Sequence, residues 1–206
     1  MASEPEQGLE VLREEALGCR ACPLWKGPIQ TVFGEGPAPA ALMFVGEQPG
    51  DREDIEGRPF VGPAGQLFDR ALSAAGLARG ETYVTNAVKH FKFEQRGKRR
   101  LHKKPNGPEI EACFPWLKRE VELVQPRLIV ALGATGLRAL MGKAVPVLAN
   151  RGQTLTSVFD IPTFVTVHPS ALLRIPEPEN RREAFQDFVG DLKKVGRLVG
   201  RLRDAA

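Results

Sequence analysis

Residues 41–51 read ALMFVGEQPGD. Five apolar residues run unbroken through positions 41–45, too few for a helix and bounded by glycine, and such a run reads as a strand buried on both faces. The chain then turns polar at once, placing Glu47, Gln48 and Asp51 in a Gly/Pro-rich turn. Three runs of the same kind follow at 83–88, 128–132 and 163–167. Helical spacing fills the gaps. Leu67, Phe68, Ala71, Leu72 and Ala75 mark one apolar face, and Ile110, Trp116, Leu117, Val121 and Val124 another, opened by Pro108 and Glu109. A shorter helix is expected at 135–141, and Phe185, Phe188, Val189, Leu192 and Val195 keep helical spacing near the C-terminus. Ser3 and Glu6 have capping-box spacing ahead of Leu9, Leu12 and Ala16. Strands alternating with helices predict an α/β fold, a three-layer α/β/α sandwich around a mostly parallel, four-stranded sheet. Each strand candidate is followed by a polar motif: GEQPGD, KH, LGATG and HPS. Open α/β sheets bind ligands at the carboxyl ends of their strands, so four such loops on one edge outline a site.

The chain of 206 residues suits one domain, 1–206, and its 42% hydrophobic and 26% charged residues fit a soluble globular protein. No apolar run approaches the roughly 18 residues of a membrane span. The acidic start MASEPEQGLEVLREEAL lacks the basic and apolar regions of a signal peptide. The expectation is a cytoplasmic protein without membrane contact, and a monomer. The net charge of +4 conceals an asymmetry: KHFKFEQRGKRRLHKK, residues 89–104, holds eight Lys or Arg against the one acid Glu94. Such a focus suits a polyanion, nucleic acid above all, although a solvated basic loop is the plainer alternative.

Cys19 and Cys22 form a Cys-x-x-Cys in CRACPLW, after a helix and beside Pro23, and Cys113 lies in a predicted helix. A redox motif would normally follow a strand and open a helix, so this arrangement favours metal. His90, on the far side of the basic insertion at about 92–107, is the natural fourth ligand. Three Cys and one His suit zinc or an iron–sulfur cluster, and spacing does not separate the two.

In GEQPGDREDIEGRPFVGPAG the acids can act as a base or an electrostatic partner, the glycines admit a ligand to the backbone, and Phe60 can stack on a flat ring. His168 stands directly after a core strand, in VTVHPS. His102 sits inside KRRLHKK, where cationic neighbours favour its neutral form, a potential nucleophile or base.

Together these motifs resemble the uracil-DNA glycosylase superfamily, and within it the iron–sulfur branch, family 4. GEQPGD resembles the first active-site motif, HPS the second, and TNAVKH the strand whose Asn reads the uracil edge. Three departures from family 4 coincide: Gln48, His90 in place of a cysteine, and the inserted KRRLH. They match a narrower group, the UdgX proteins, which attach covalently to uracil-DNA; Leu101 stands where their usual KRRIH has Ile. The resemblance implies a 4Fe–4S cluster on Cys19, Cys22, His90 and Cys113. It implies that Phe60 stacks on the flipped uracil, Asn86 bonds its Watson–Crick edge and His168 stabilises the departing base. Glu47, Gln48 and Asp51 would line the sugar side, Arg100 would position the inserted loop, and His102 would be the nucleophile. Lys98, Arg99, Lys103 and Lys104 are candidate phosphate contacts. The expected partner is uracil-containing DNA, single-stranded by preference, and the expected activity a single-turnover, self-trapping glycosylase. The alternatives are a multiple-turnover family-4-like glycosylase and a non-enzymatic, metal-stabilised nucleic-acid-binding module.

Overall fold

The computed structural model describes residues 3–204. Helix α1 (Glu4–Leu17) opens on the expected capping box of Ser3 and Glu6. Strand β1 (Leu42–Gly46) leads into the short helix α2 (Asp51–Glu56) and then α3 (Pro63–Ala75). After β2 (Thr82–Asn86), strands β3 (Phe93–Arg96) and β4 (Arg99–His102) form a separate antiparallel hairpin. Helix α4 (Gly107–Val124), capped by Asn106 and Glu109, precedes β5 (Leu128–Leu132) and α5 (Gly133–Met141). A one-turn helix α6 (Val147–Asn150), β6 (Thr154–Thr156), β7 (Pro162–Thr166), α7 (Pro169–Leu173) and the long α8 (Pro178–Asp204) complete the chain.

The central sheet has the order β2-β1-β5-β7-β6. The four strands read from sequence are its parallel part. The fifth, β6, pairs antiparallel to β7 at the edge and corrects the four-stranded expectation. Its sequence, TLT, is half-exposed and has no apolar run, so it carries none of the signal that marks a buried strand. The basic stretch is likewise a hairpin rather than a loop, with Phe93 opposite His102 and Gln95 opposite Arg100.

Alternation along the strands makes the two cores. Met43, Val45, Ile129, Ala131 and Val165 face one side, where they meet α1, α4 and α5. Leu42, Phe44, Leu128, Val130 and Phe164 face the other, against α3 and α8. With both faces of each strand covered by helices, continuous apolar runs are required, and this is why the strands were legible. The chain leaves β1 towards β2 on one side and reaches β5 on the other, so the strand order reverses between β1 and β5. At such a point successive loops diverge and leave a crevice at the carboxyl edge.

Candidate active site

The crevice is a cavity of about 580 Å³. Its lining includes Glu47, Gln48, Asp51, Glu53, Phe60, Asn86, His102 and His168, so residues of GEQPGD, RPFVG, TNAVKH, KRRLH and HPS converge on it, while LGATG and the basic residues around His102 do not line it. Phe60 and Asn86 make its most enclosed part. Phe60 has φ 56, a conformation rarely adopted by an aromatic residue. Tight packing holds it there: a Cβ at Gly65 would stand 1.8 Å from the Phe60 carbonyl oxygen. Gly46 is equally constrained, since a Cβ there would lie 2.5 Å from Asn86 Oδ1 and 2.6 Å from Phe60 Cζ. The Asn86 carboxamide therefore looks onto the edge of the Phe60 ring. Its Oδ1 is buried without a hydrogen-bond partner. Such an orphan acceptor costs about 1–3 kcal/mol, and a ligand donor removes that cost.

Glu47 stands at the end of β1, where desolvation opposes its charge most. His102 and Thr135 reverse the balance and hold its carboxyl below the usual range. Thr135 Oγ1 donates to Oε2 at 2.6 Å, and His102 Nε2 lies 3.1 Å from Oε1. Thr135 belongs to the first turn of α5, across the β1/β5 crevice, and was not singled out from LGATG. His102 is half-exposed, and its surroundings are not the purely cationic ones that its sequence neighbours suggest.

The hairpin that presents His102 is tied down at three points. Gln48 Nε2 donates to the Lys92 and Lys103 carbonyls at 3.2 and 3.0 Å, and Lys92 N donates to Gln48 Oε1 at 3.1 Å. Arg100 pairs with Asp51 at 2.6 Å and with the buried Asp54, which also accepts from the Ile29 and Gln30 amides. The Arg100 guanidinium lies 5.5 and 5.2 Å from the ring centres of Phe91 and Phe93. Gln48 and Asp51 thus border the cavity while their polar atoms engage the hairpin. Lys98 and Arg99 are at its exposed end, Lys103 pairs with Glu94 at 2.5 Å, and Lys104 reaches a neighbouring cavity.

Glu53 was also missed. Its carboxylate accepts from Gly50 N at 3.1 Å and Gly62 N at 2.8 Å, bracing the two loops that wall the pocket. Only its position in a helix-capping role, three residues into α2, hinted at this.

Cys19, Cys22 and Cys113 gather at the ends of α1 and β2 and the start of α4. They are close enough for Cys19 and Cys22 to add to the burial that pushes the Cys113 thiol up to about 12. Trp116 Nε1 donates to Cys19 Sγ and Lys89 N to Cys113 Sγ, both at 3.2 Å. His90 joins them through Thr31, whose Oγ1 contacts His90 Nε2 and donates to the Ala16 carbonyl, the acceptor of the Cys19 amide as well. Burial holds His90 in its neutral form, the form that ligates metal. Among the described residues no three Cys, His, Asp or Glu side chains converge on a single-ion site.

A model of the uracil DNA glycosylase superfamily matches residues 33–193. The chain belongs to this superfamily. It is 35% identical over 199 residues to a type-4 uracil-DNA glycosylase of Sulfurisphaera tokodaii, covering 93% of this chain and 84% of the relative. It is 37% identical over 199 residues to that of Pyrobaculum aerophilum, covering 90% and 96%. It is 37% identical over 184 residues to that of Thermotoga maritima, covering 89% and 92%. Among the described residues no helix is long and apolar enough to cross a membrane.

His168 caps α7, its Nδ1 accepting from Ser170 N at 3.2 Å, so the proton of the neutral ring is on Nε2. Desolvation lowers its pKa to about 4 against the partial opposition of Glu47. Between about pH 6.5 and 4 the unfolded chain therefore binds a proton that the folded one does not, and stability falls as pH drops through that window. The contribution is about 3 to 4 kcal/mol. Urea midpoints measured from pH 7 to 4 should decline less steeply for His168→Asn than for the wild type. Parallel declines would show that His168 is not held neutral.

Proposed function

We propose that the protein recognises uracil in DNA, cleaves its N-glycosidic bond and captures the sugar on His102. The observation that carries uracil recognition is the buried, unpartnered Asn86 Oδ1 beside the Phe60 ring. Uracil presents an N3–H to this acceptor and a flat face to Phe60. Cytosine has a lone pair at N3 and would leave the acceptor unpaired, a mismatch that polar sites reject strongly. Glu53 lines the pocket and is held by two backbone amides, and in this reading it is the wall against the methyl group of thymine. A base inside a stacked duplex cannot reach this pocket, so it must flip out or come from a single strand.

In the reaction the C1′–N1 bond breaks and its electron pair leaves with uracil. The His168 Nε2–H faces the negative charge on the base, and the Glu47 carboxylate the positive charge on the sugar, each pre-oriented where charge develops. The His102 imidazole then donates a lone pair to C1′. The alkylated imidazolium, held against the Glu47 carboxylate, then loses its ring proton to solvent. A neutral imidazole is a poor leaving group, so the bond persists and one protein is used per uracil. Gln48, Asp51 and Arg100 set the hairpin so that His102 is at the cavity rim, and Lys98, Arg99, Lys103 and Lys104 supply cations for phosphates. The names of the type-4 relatives favour a second reading, a multiple-turnover glycosylase in which His102 only contacts DNA.

We also propose that Cys19, Cys22, His90 and Cys113 hold a 4Fe–4S cluster, supported by the mutual proximity of the three cysteines and by the donors aimed at two of the sulfurs. Bound there, it would fasten α1, β2 and α4 together and would take no part in the bond changes. Purified protein should contain iron and sulfide and absorb in the visible, and Cys113→Ala should lose both. Stoichiometric zinc in protein made with abundant iron would overturn the assignment.

The variant His102→Ser separates cleavage from capture. It should form no denaturation-resistant adduct on uracil-DNA and should instead release an abasic site with repeated turnover, because water can occupy the vacated space. A full yield of adduct would remove His102 as the nucleophile. Neither adduct nor abasic site, from folded variant, would mean that His102 is required for cleavage itself.

A further inference from the structure

The LGATG turn lines none of the base pocket, and its place in the sheet gives it another part. Strand β5 lies between β1 and β7, so the turn that follows it, 132–136, stands between Glu47 after β1 and His168 after β7. Gly136 lets α5 close onto β1: a Cβ there would lie 2.3 Å from the Val45 carbonyl oxygen and 3.1 Å from that of Gly46. This approach carries the buried Thr135 to the Glu47 side chain. Their separation, 2.6 Å between Thr135 Oγ1 and Glu47 Oε2, is that of a hydroxyl donating to a charged carboxylate.

A hydroxyl carries one proton, and Thr135 commits it to Glu47. The ionised carboxylate can only accept, and its two oxygens are divided: Oε2 takes Thr135, and Oε1 meets His102 Nε2 at 3.1 Å. Held at both oxygens, the carboxylate cannot turn about its last torsion. The His102 side chain is half-exposed, and the Phe91 ring beside it is 6.2 Å away between centres, so the carboxylate contact sets the tilt of the imidazole. Constraint thus runs from α5 through Glu47 to the lone pair of His102. The other charged and titratable groups facing Glu47 are Lys104, which follows β4, and His168 and Arg174 at the two ends of α7. The acids on the base-pocket side, Asp51 and Glu53, are engaged by Arg100 and by the Gly50 and Gly62 amides.

We propose that Thr135 is a positioning residue: its hydroxyl holds the Glu47 carboxylate so that Oε1 stays on His102, and this decides whether the sugar is taken by His102 or by water. The inference rests on the reading in which uracil is excised and His102 captures the sugar. In both outcomes the C1′–N1 bond breaks and uracil keeps its electron pair. With the imidazole in line, a C1′–N bond forms and the ring gives one proton to solvent. With the carboxylate free to turn, the half-exposed ring leaves that line. Water then forms a C1′–O bond, loses one proton, and the product is free abasic DNA. Removing the hydroxyl also removes a donor that favours the charged form of Glu47, so burial makes its carboxyl protonate at a higher pH.

The test compares the full-length wild type with Thr135→Val and Thr135→Ala, which lack the hydroxyl, and with Thr135→Ser, which keeps it. Thr135→Ala carries the comparison if the valine variant packs too poorly to fold. Each protein, in excess, is incubated with a uracil-containing single strand from neutral to acid pH. Adduct is read by denaturing electrophoresis and free abasic DNA by strand scission. The two hydroxyl-free variants should raise the ratio of free abasic DNA to adduct roughly tenfold or more, because capture depends on alignment. They should also move the acid limb of the adduct rate upward by about one pH unit, the effect of losing one hydrogen bond to a charged group. Thr135→Ser should return both the ratio and the limb to near wild type. An unmoved limb or an unaltered ratio in the hydroxyl-free variants, or no recovery in Thr135→Ser, would overturn this role. A wild type that releases uracil without forming adduct would sink capture by His102, and one that does neither would sink the uracil reading; the role of Thr135 falls with either.

Discussion

A carboxylate placed at the end of a buried parallel strand must find donors, and at Glu47 this requirement organises the whole site. One oxygen takes the Thr135 hydroxyl from α5, and the other meets His102 from the hairpin. The first contact closes the crevice between β1 and β5. The second fixes where a residue more than fifty positions later in the chain stands relative to the base pocket. Burial opposes the charge of Glu47, these partners favour it, and their geometry is in turn held by that charge.

The hairpin could not serve this arrangement if it were mobile. It stays in register because the β1 loop reaches up to it: Gln48 brackets its stem, and Asp51 and Asp54 grip Arg100. A second buried network does the same for base recognition. Lys89 and Glu120 are both fully buried and lie 2.5 Å apart; the ammonium also donates to the Asn86 carbonyl and Thr85 Oγ1, while Glu120 accepts from Tyr83 and Gly34 N. Breaking a pair of this kind leaves an uncompensated charge in the interior, so the turn carrying Asn86 and His90 is firmly seated. The same turn donates the Lys89 amide to Cys113, so Asn86, the proposed reader of the base, and the cysteines share one support.

The parallel strands were legible because covering them on both faces makes apolar residues dominate them, with only Thr and Asn admitted in β2 and β7, and the polar motifs after them then marked the edge of the site. The three-residue β6 was not legible, since an exposed antiparallel edge tolerates Thr at alternate positions. The basic stretch gave its charge but not its shape: its pairing depends on Gln48 and Asp54, which are remote in sequence. Thr135 and Glu53 escaped notice for a related reason. A hydroxyl in a helix's first turn and a carboxylate near a cap are ordinary in isolation, and only their partners give them a part in the site. Gln48 and Asp51 were found, but their polar atoms face the hairpin.

In the proposed reaction, the placement of His102 on Glu47 is what separates capture from release. The most direct measurement is peptide mass spectrometry of the protein after incubation with uracil-containing and thymine-containing single strands and denaturation. The account predicts a deoxyribose-linked adduct on His102, one per protein, from the uracil strand alone. Unmodified His102 alongside released uracil and free abasic DNA would contradict it.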